Sequence, residues 1–373
     1  GKEINVKVKY ADKYNKEEIN YLTCDNPYFQ LIHKAVNKCI TVREEYKLWE
    51  HNPKEISWGT LKYISDNLVE YKNVKNLYDF NDLVDLTIKS KNKEDFPTFK
   101  AVFIDEAQDL SPLQWKLFDV FKQKSEDVYL AGDDDQAIFV WAGADVERFI
   151  KEPAKERVLK YSKRVSRTVQ EESQKPIERI MGIRKEKHYL PRDFKGESLT
   201  ISNLNQIDLT KGKWLILSRT ISKQLKIAKE LKKKNLYYQT NKGKSFNVGM
   251  YNAAIAYTKW IREGKLEEKE INDVRDFIPN GNWDPEKNWY DIFVSDQKEK
   301  LYIKNMLDNK ENLNDKARIW LSTIHAAKGG EEDNVILCLD MGNKILKSIK
   351  RSQQKNDEEH RVWYVGTTRA RNN

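Results

Sequence analysis

Two apolar runs in this chain stop abruptly at carboxylates. Ala101-Val102-Phe103-Ile104 runs into Asp105-Glu106-Ala107-Gln108-Asp109, and Val128-Tyr129-Leu130-Ala131 into Gly132-Asp133-Asp134-Asp135-Gln136. Short unbroken apolar runs fit buried strands, and a polar group at the end of each fits parallel strands that present chemistry at their carboxyl edge. Between them, residues 112–122 predict a helix, and a short helix near Tyr78 to Val84 precedes the first strand, so the order is that of an α/β fold. Upstream, Phe29, Ile32, His33, Val36 and Ile40 fall on one face at helical spacing, and residues 1–78 read as a helical subdomain.

Further along, strands are predicted at 158–161, 199–202 and 214–218. The last leads into an amphipathic helix through Ile221, Leu225, Ala228 and Leu231. Lys232, Lys233 and Lys234 read as its solvated end, where cations suit the negative pole of the helix dipole. Residues 245–313 differ in character. They carry Trp260, Trp283 and Trp289, with turn signals at Pro279-Asn280-Gly281-Asn282 and Asp284-Pro285, and they read as a small inserted unit. Strand patterns resume at 317–323 and 334–339, and the polar stretch 347–359 is predicted to be a mobile loop.

Composition narrows the function classes. A length of 373 residues suits two or three compact units. The excess of 67 Lys+Arg over 58 Asp+Glu, net +9, favours a nucleic-acid partner over an ordinary solvated surface without deciding between them. Cys24, Cys39 and Cys338 have no C-x-x-C spacing and the histidines do not cluster with them, so neither a zinc site nor a disulfide framework is indicated, which suits a reducing compartment. The longest apolar stretches, such as Val335 to Leu339, fall far short of the ~20 residues a membrane span needs, and the start Gly-Lys-Glu-Ile has no signal-peptide character. The expectation is a soluble cytoplasmic protein with no membrane partner, nucleoid-associated or, if from a phage, in the host cytoplasm.

An adjacent Asp-Glu after an apolar strand suits phosphoryl transfer, because one carboxylate can hold magnesium while its neighbour orients or deprotonates water. Such a pair alone also caps helices and lines surfaces. Its companions sharpen the reading: Gly132-Asp-Asp-Asp-Gln136 follows it, then Thr323-Ile-His325-Ala-Ala-Lys328-Gly329-Gly-Glu331-Glu-Asp333, then Tyr364-Val-Gly-Thr-Thr-Arg369-Ala. In that order these segments resemble the motor core of UvrD/Rep-type superfamily 1 (SF1A) DNA helicases, over roughly residues 79–240 and 315–371.

The resemblance implies roles residue by residue. Asp105 would ligand magnesium, Glu106 would act as general base, and Gln136 would meet the γ-phosphate of ATP. Phe139 and Trp141 would stack on DNA bases. Arg369 matches the arginine finger, and Arg164, in Tyr161-Ser162-Lys163-Arg164-Val165-Ser166-Arg167, fits a second phosphate contact. Lys163 stands where the family commonly has a tyrosine that stacks on adenine. Glu331 would meet the ribose, and Thr323 and His325 would lie near the DNA backbone.

One expected element is absent from these residues. A phosphate loop reads G-x-x-x-x-G-K-[ST], and the sole G-K-[ST], Gly243-Lys244-Ser245, has Tyr238 where the first glycine belongs. In the family that loop lies upstream of the helical subdomain, so the expectation is that it precedes Gly1 or is supplied by a partner chain, and that both ends of the chain are cut. The expected architecture is two RecA-like (P-loop NTPase) α/β motor domains with a helical insertion and a small second insertion. Residues 1–78 form the first insertion, 79–156 the remainder of the first motor, 157–244 with 314–373 the second motor, and 245–313 the second insertion. The function implied is an ATP- and magnesium-dependent helicase or translocase on single-stranded or partly duplex DNA, moving 3′ to 5′, in repair or replication. A non-catalytic DNA- or partner-binding fragment stays open beside it, and a nuclease-fused recombination motor is weaker because no nuclease carboxylate cluster is evident.

Overall fold

The computed structural model describes residues 26–49, 56–90, 96–278 and 280–373. The chain divides into a first unit, residues 1–153, and a second, residues 154–373. The opening residues of the predicted helical subdomain therefore lie outside the described residues.

In the first unit α1 (Pro27–Asn37), α2 (Val42–Leu48) and α3 (Trp58–Lys75) precede α4 (Phe80–Lys89). Each start carries a cap that satisfies an otherwise orphaned amide: Asn26, Thr41, Ser57 and Asp79 all accept from the first turn. The buried face of α1 is Leu31, Ile32 and Ala35, packed with Ile56 and Leu61. Val36, predicted to face the core, is exposed, and Ile40 lies beyond the helix because Cys39 turns the chain with φ 54°.

After α4 come β1 (Phe99–Ile104), α5 (Pro112–Gln123) and β2 (Ser125–Leu130), then the short α6 (Val146–Lys151). β1 and β2 pair in parallel, with Ile104 opposite Leu130. Both strands therefore reach their carboxyl ends at the same level, which is what brings the two acidic segments together. The α5 helix starts at a Ser111–Gln114 capping box with Pro112 in its first turn, and its Trp115 and Phe118 are buried.

The second unit opens with residues 158–161 and 199–202, both predicted as strands. Neither is one. The first makes only an isolated bridge, Tyr161 with Leu190, and Leu159 and Leu199 are largely exposed, so these short apolar runs have no sheet to join. Next come α7 (Arg167–Ile177), β3 (Trp214–Ser218), α8 (Ile221–Lys233), β4 (Tyr238–Thr240) and β5 (Gly243–Lys244). At the end of α8, Lys232 pairs with Glu299, Lys233 with Glu230, and Lys234 with Asn205, in keeping with a solvated helix end.

Residues 245–313 are helical: α9 (Val248–Glu263), α10 (Glu268–Arg275), α11 (Trp289–Ile292) and α12 (Gln297–Asp308). They enclose their own core around Tyr257, Ile303 and Met306, all with no exposed surface. β6 (Ile319–Thr323) and β7 (Asn334–Cys338) return to the sheet, whose order is β5-β4-β6-β3-β7, with β6 and β7 flanking β3 in parallel.

The predicted loop at 347–359 is instead the end of α13 (Asn343–Arg351) and the first half of α14 (Gln353–Thr367). Asp357 and Glu359 in its second half, with Arg361 just beyond it, make tertiary bonds. Asp357 accepts from the backbone amides of Met181 and Gly182, Glu359 pairs with Arg219, and Arg361 donates to the carbonyl of Ile183. The last residues are stitched alongside: Arg371 N donates to Glu332 O, Val335 N to Asn373 O, and Ser166 Oγ to Asn372 O. Gly196 has φ 75°, and a Cβ there would sit 2.2 Å from Ser166 Oγ and 2.3 Å from Asn372 O. Left-handed strain and a backbone clash combine, so Gly196→Ala is expected to lower unfolding free energy by about 2–3 kcal/mol in urea titrations.

Candidate functional site

The first unit builds its site at the carboxyl ends of β1 and β2. Ala131 N donates to Ile104 O at 2.8 Å and Ala107 N to Ala131 O at 2.9 Å, which closes the pairing just past the strands. Asp105 is exposed there, and one of its oxygens accepts from Glu106 N at 2.9 Å. Glu106 takes the left-handed conformation, φ 53° and ψ 37°, which costs a non-glycine residue roughly 1–2 kcal/mol.

A residue to which the sequence reading assigned no role holds this arrangement. Gln108 is fully buried. Its Nε2 donates to Glu106 Oε2 at 2.5 Å, while its Oε1 accepts from Asp133 N at 2.9 Å. A single amide therefore ties the first acidic segment to the second. Gly132 makes room for it, since a Cβ there would lie 2.6 Å from Gln108 Oε1 and 2.8 Å from the Phe149 ring. Asp133 continues the chain of bonds, accepting from Asp135 N at 3.1 Å and from Gln136 Nε2 at 2.8 Å. The signal in the sequence was a Gln two residues after the acidic pair, with a Gly opening the second segment.

Phe139 and Trp141 follow on the same loop. Trp141 is 41% exposed, enough of a ring face for a ligand to stack on, whereas Phe139 is half-buried. The ammonium of Lys34 lies 5.9 Å from the Trp141 ring centroid and 5.5 Å from that of Trp49, which braces the loop against α1.

In the second unit the structure gathers Arg164, Glu331 and Arg369 around the loop after β6. Arg164 Nε donates to Glu331 Oε2 at 2.6 Å, and Arg371 Nε lies 3.6 Å from the other carboxylate oxygen. Both members of the first pair are about one-third exposed. Arg369 is buried instead, donating from Nε to Val365 O at 2.9 Å and from its terminal nitrogens to Gly330 O and Thr368 Oγ1. Lys163 is exposed. The decoy lysine of Gly243-Lys244-Ser245 donates to the carbonyls of Leu313 and Asn314.

Thr323 and His325 lie at the end of β6, where Thr323 Oγ1 accepts from Ala326 N at 3.3 Å. Beside them at the end of β3 is Arg219, missed by sequence reasoning although it ends an apolar strand. Its Nε donates to both oxygens of the buried Glu359 at 2.8 and 2.9 Å. Burial, then the positive charges of Arg219 and Lys328, push the His325 imidazole down to about 4. It is neutral at pH 7 and can offer a phosphate a hydrogen bond but no charge.

The comparisons follow this geometry. Residues 4–157 match the model of the UvrD/REP helicase N-terminal domain. Through its first unit, the chain is similar to the UvrD/Rep-type helicase family. It is 31% identical over 154 residues to RecBCD enzyme subunit RecB of Buchnera aphidicola subsp. Acyrthosiphon pisum, a match covering 38% of this chain and 13% of that protein. It is also 31% identical over 126 residues to ATP-dependent DNA helicase Rep of Buchnera aphidicola subsp. Schizaphis graminum, covering 31% of this chain and 19% of that one. DNA helicase II of Haemophilus influenzae is 38% identical over 53 residues, 14% and 7% of the respective chains. The chain thus spans less than a fifth of the length of these UvrD/Rep-type relatives. Among the described residues no helix is long and apolar enough to cross a membrane.

Two outcomes follow for the site's stability. Gln108→Leu keeps the bulk but strands the Asp133 amide and a Glu106 oxygen, and is expected to cost about 1–3 kcal/mol in chemical denaturation. For His325, the folded state resists a proton that the unfolded chain accepts near 6.5. Its contribution is therefore full above pH 6.5 and falls as pH drops from 6.5 toward 4, by at most about 3 kcal/mol. The difference in urea-derived stability between the wild type and His325→Gln should shrink across that window, and a constant difference would contradict the assigned burial.

Proposed function

We propose that this protein is an ATP-dependent DNA helicase or translocase of the UvrD/Rep type, with its two sheets, the first parallel and the second mixed, as RecA-like motors. Residues 1–78 serve as the first insertion and 79–156 as the first motor. Residues 157–244 with 314–373 serve as the second motor, and 245–313 as the second insertion. The observation that carries the reading is the Asp105–Glu106 pair at paired parallel strand ends, joined through Gln108 to Asp133 and Gln136. A family match over the same residues supports it.

Asp105 is the magnesium ligand. The donor set fits, because magnesium takes only one or two protein carboxylates and completes its shell with water and substrate phosphates. Bound there, the ion would neutralise charge on the phosphates and orient them. Glu106 is the general base. The Gln108 amide and the left-handed backbone fix where its carboxylate points, so that the remaining lone pairs are oriented toward water without reorganisation. Gln136, held by Asp133, contacts the γ-phosphate.

Arg164 is the accessible guanidinium for developing phosphate charge, and Glu331, its partner here, is the ribose contact. Arg369 can join it once its bonds to the Val365 and Gly330 carbonyls are exchanged for phosphate oxygens. Trp141 and Phe139 stack on bases, which contributes on the order of 1–3 kcal/mol each without sequence preference. Thr323 and His325 hydrogen-bond the backbone of single-stranded or partly duplex DNA, with movement 3′ to 5′.

The test is DNA-stimulated phosphate release by the wild type and Glu106→Gln. Loss of the base is expected to lower turnover by at least about 100-fold while leaving the melting temperature unchanged. Equal turnover in the two proteins, or hydrolysis in neither, overturns the catalytic reading.

A further inference from the structure

The exposed face of α13 carries Lys344, Lys347, Lys350 and Arg351 and no acidic residue. Among the described residues none of these four side chains makes an ion pair, hydrogen bond or ring contact. Elsewhere in the same unit comparable cations are neutralised, as in Lys232–Glu299, Lys259–Glu270, Arg219–Glu359 and Arg318–Glu311. The helix accepts a local cost for this pattern. Lys344 repels Lys347, and Lys347 repels Lys350 and Arg351, at three- and four-residue spacings, each by a few tenths of a kcal/mol. Lys344 also lies in the first turn, at the positive end of the dipole.

The surroundings do not cancel this charge. β6, β3 and β7 run parallel, so Thr323, Arg219 and Asp340 share one edge of the sheet, and α13 starts just after Asp340. Asp340 is held below the usual carboxylate range by its hydrogen bond and charge pairing with Lys223, and by the charge of Lys226. Asp340, the acid that precedes α13, is thus already paired. The opposite face of the helix, with Ile345, Leu346 and Ile349, is half-buried, and α13 packs on α14. Those apolar side chains are therefore not offered to a lipid surface.

We infer that this face of α13 binds the sugar-phosphate backbone of nucleic acid, as a site separate from Thr323, His325 and the aromatic loop. From Lys344 to Arg351 the helix rises about 10 Å, the length over which one strand of a duplex places about three phosphates. The inference rests on the reading of the protein as a nucleic-acid binder, and on none of the residues assigned to hydrolysis.

The test is fluorescence anisotropy of a labelled oligo(dT) with the full chain over a salt series. Each phosphate neutralised on a single strand contributes about 0.7 to the slope of log affinity against log salt. K344A/K347A/K350A/R351A is expected to lower that slope by about 2–3 and to weaken binding at least about tenfold at low salt, with an unchanged melting temperature. The charge-preserving K344R/K347R/K350R should retain the wild-type slope. If the fourfold variant fails to fold, Lys347→Glu carries the same test with a slope change of about 0.7 or more. A wild-type slope in the alanine or Lys347→Glu variant overturns this inference alone, as does loss of binding to phosphatidylserine vesicles without loss for oligo(dT). Absence of oligo(dT) binding by the wild type overturns it together with the nucleic-acid reading.

Discussion

The buried amide of Gln108 is the constraint on which the first unit's chemistry depends. Parallel pairing brings Ile104 and Leu130 level, but pairing alone leaves two loops free to wander beyond the strands. Burial removes water as an alternative partner, so both ends of the amide must find protein groups. They find the Glu106 carboxylate and the Asp133 backbone, and everything distal inherits that choice: the left-handed Glu106, the glycine at 132, and Gln136 on Asp133. The strain at Glu106 persists because the surrounding bonds determine its position from both sides.

The second unit solves a similar problem with charge. Its sheet edge is lined by Arg219, Arg164 and Arg369, and each guanidinium has found oxygen: Glu359, Glu331, and backbone carbonyls. Glu359 and its neighbours lie on α14, which ends at Thr367 two residues before Arg369, so the segment that leads to Arg369 also supplies the acid that neutralises Arg219. The chain's last residues pair with 332–335 and hold that helix end against the loop bearing Glu331.

The legible parts of the sequence were those where local pattern and tertiary partner agree. The apolar runs at 101–104, 128–130 and 214–218 became strands because each had a neighbour within reach, whereas 158–161 and 199–202, interrupted by Lys160 and by Thr200 and Ser202, had none. The stretch 347–359 read as a loop because its residues are polar. Its helical state is held by bonds from Asp357, Glu359 and Arg361 to groups about 140–180 positions away, which no local window can contain. For the site, the acidic pair stood out by its chemistry and Gln136 only through the family resemblance, while Gln108 could not be picked out, since a glutamine looks the same in sequence whether it caps a turn or bridges two strands. Arg219 was hidden for the converse reason, because one arginine after an apolar strand carries no motif.

The charges also differ in what they can do for a polyanion at a distance. Arg219 and Arg164 are paired to carboxylates and His325 is neutral, so at rest this edge of the sheet projects little net field. To meet a phosphate, an arginine there must give up a carboxylate, an exchange of one charge-assisted bond for another that nets little affinity and much positional selectivity. α13 is the opposite case. Its four cations have no such partner among the described residues, so their attraction is available before contact and decays only with the salt-dependent screening length. A surface that attracts and an edge that selects are then separate parts of one unit, joined through α13 and α14 between the end of β7 and Arg369.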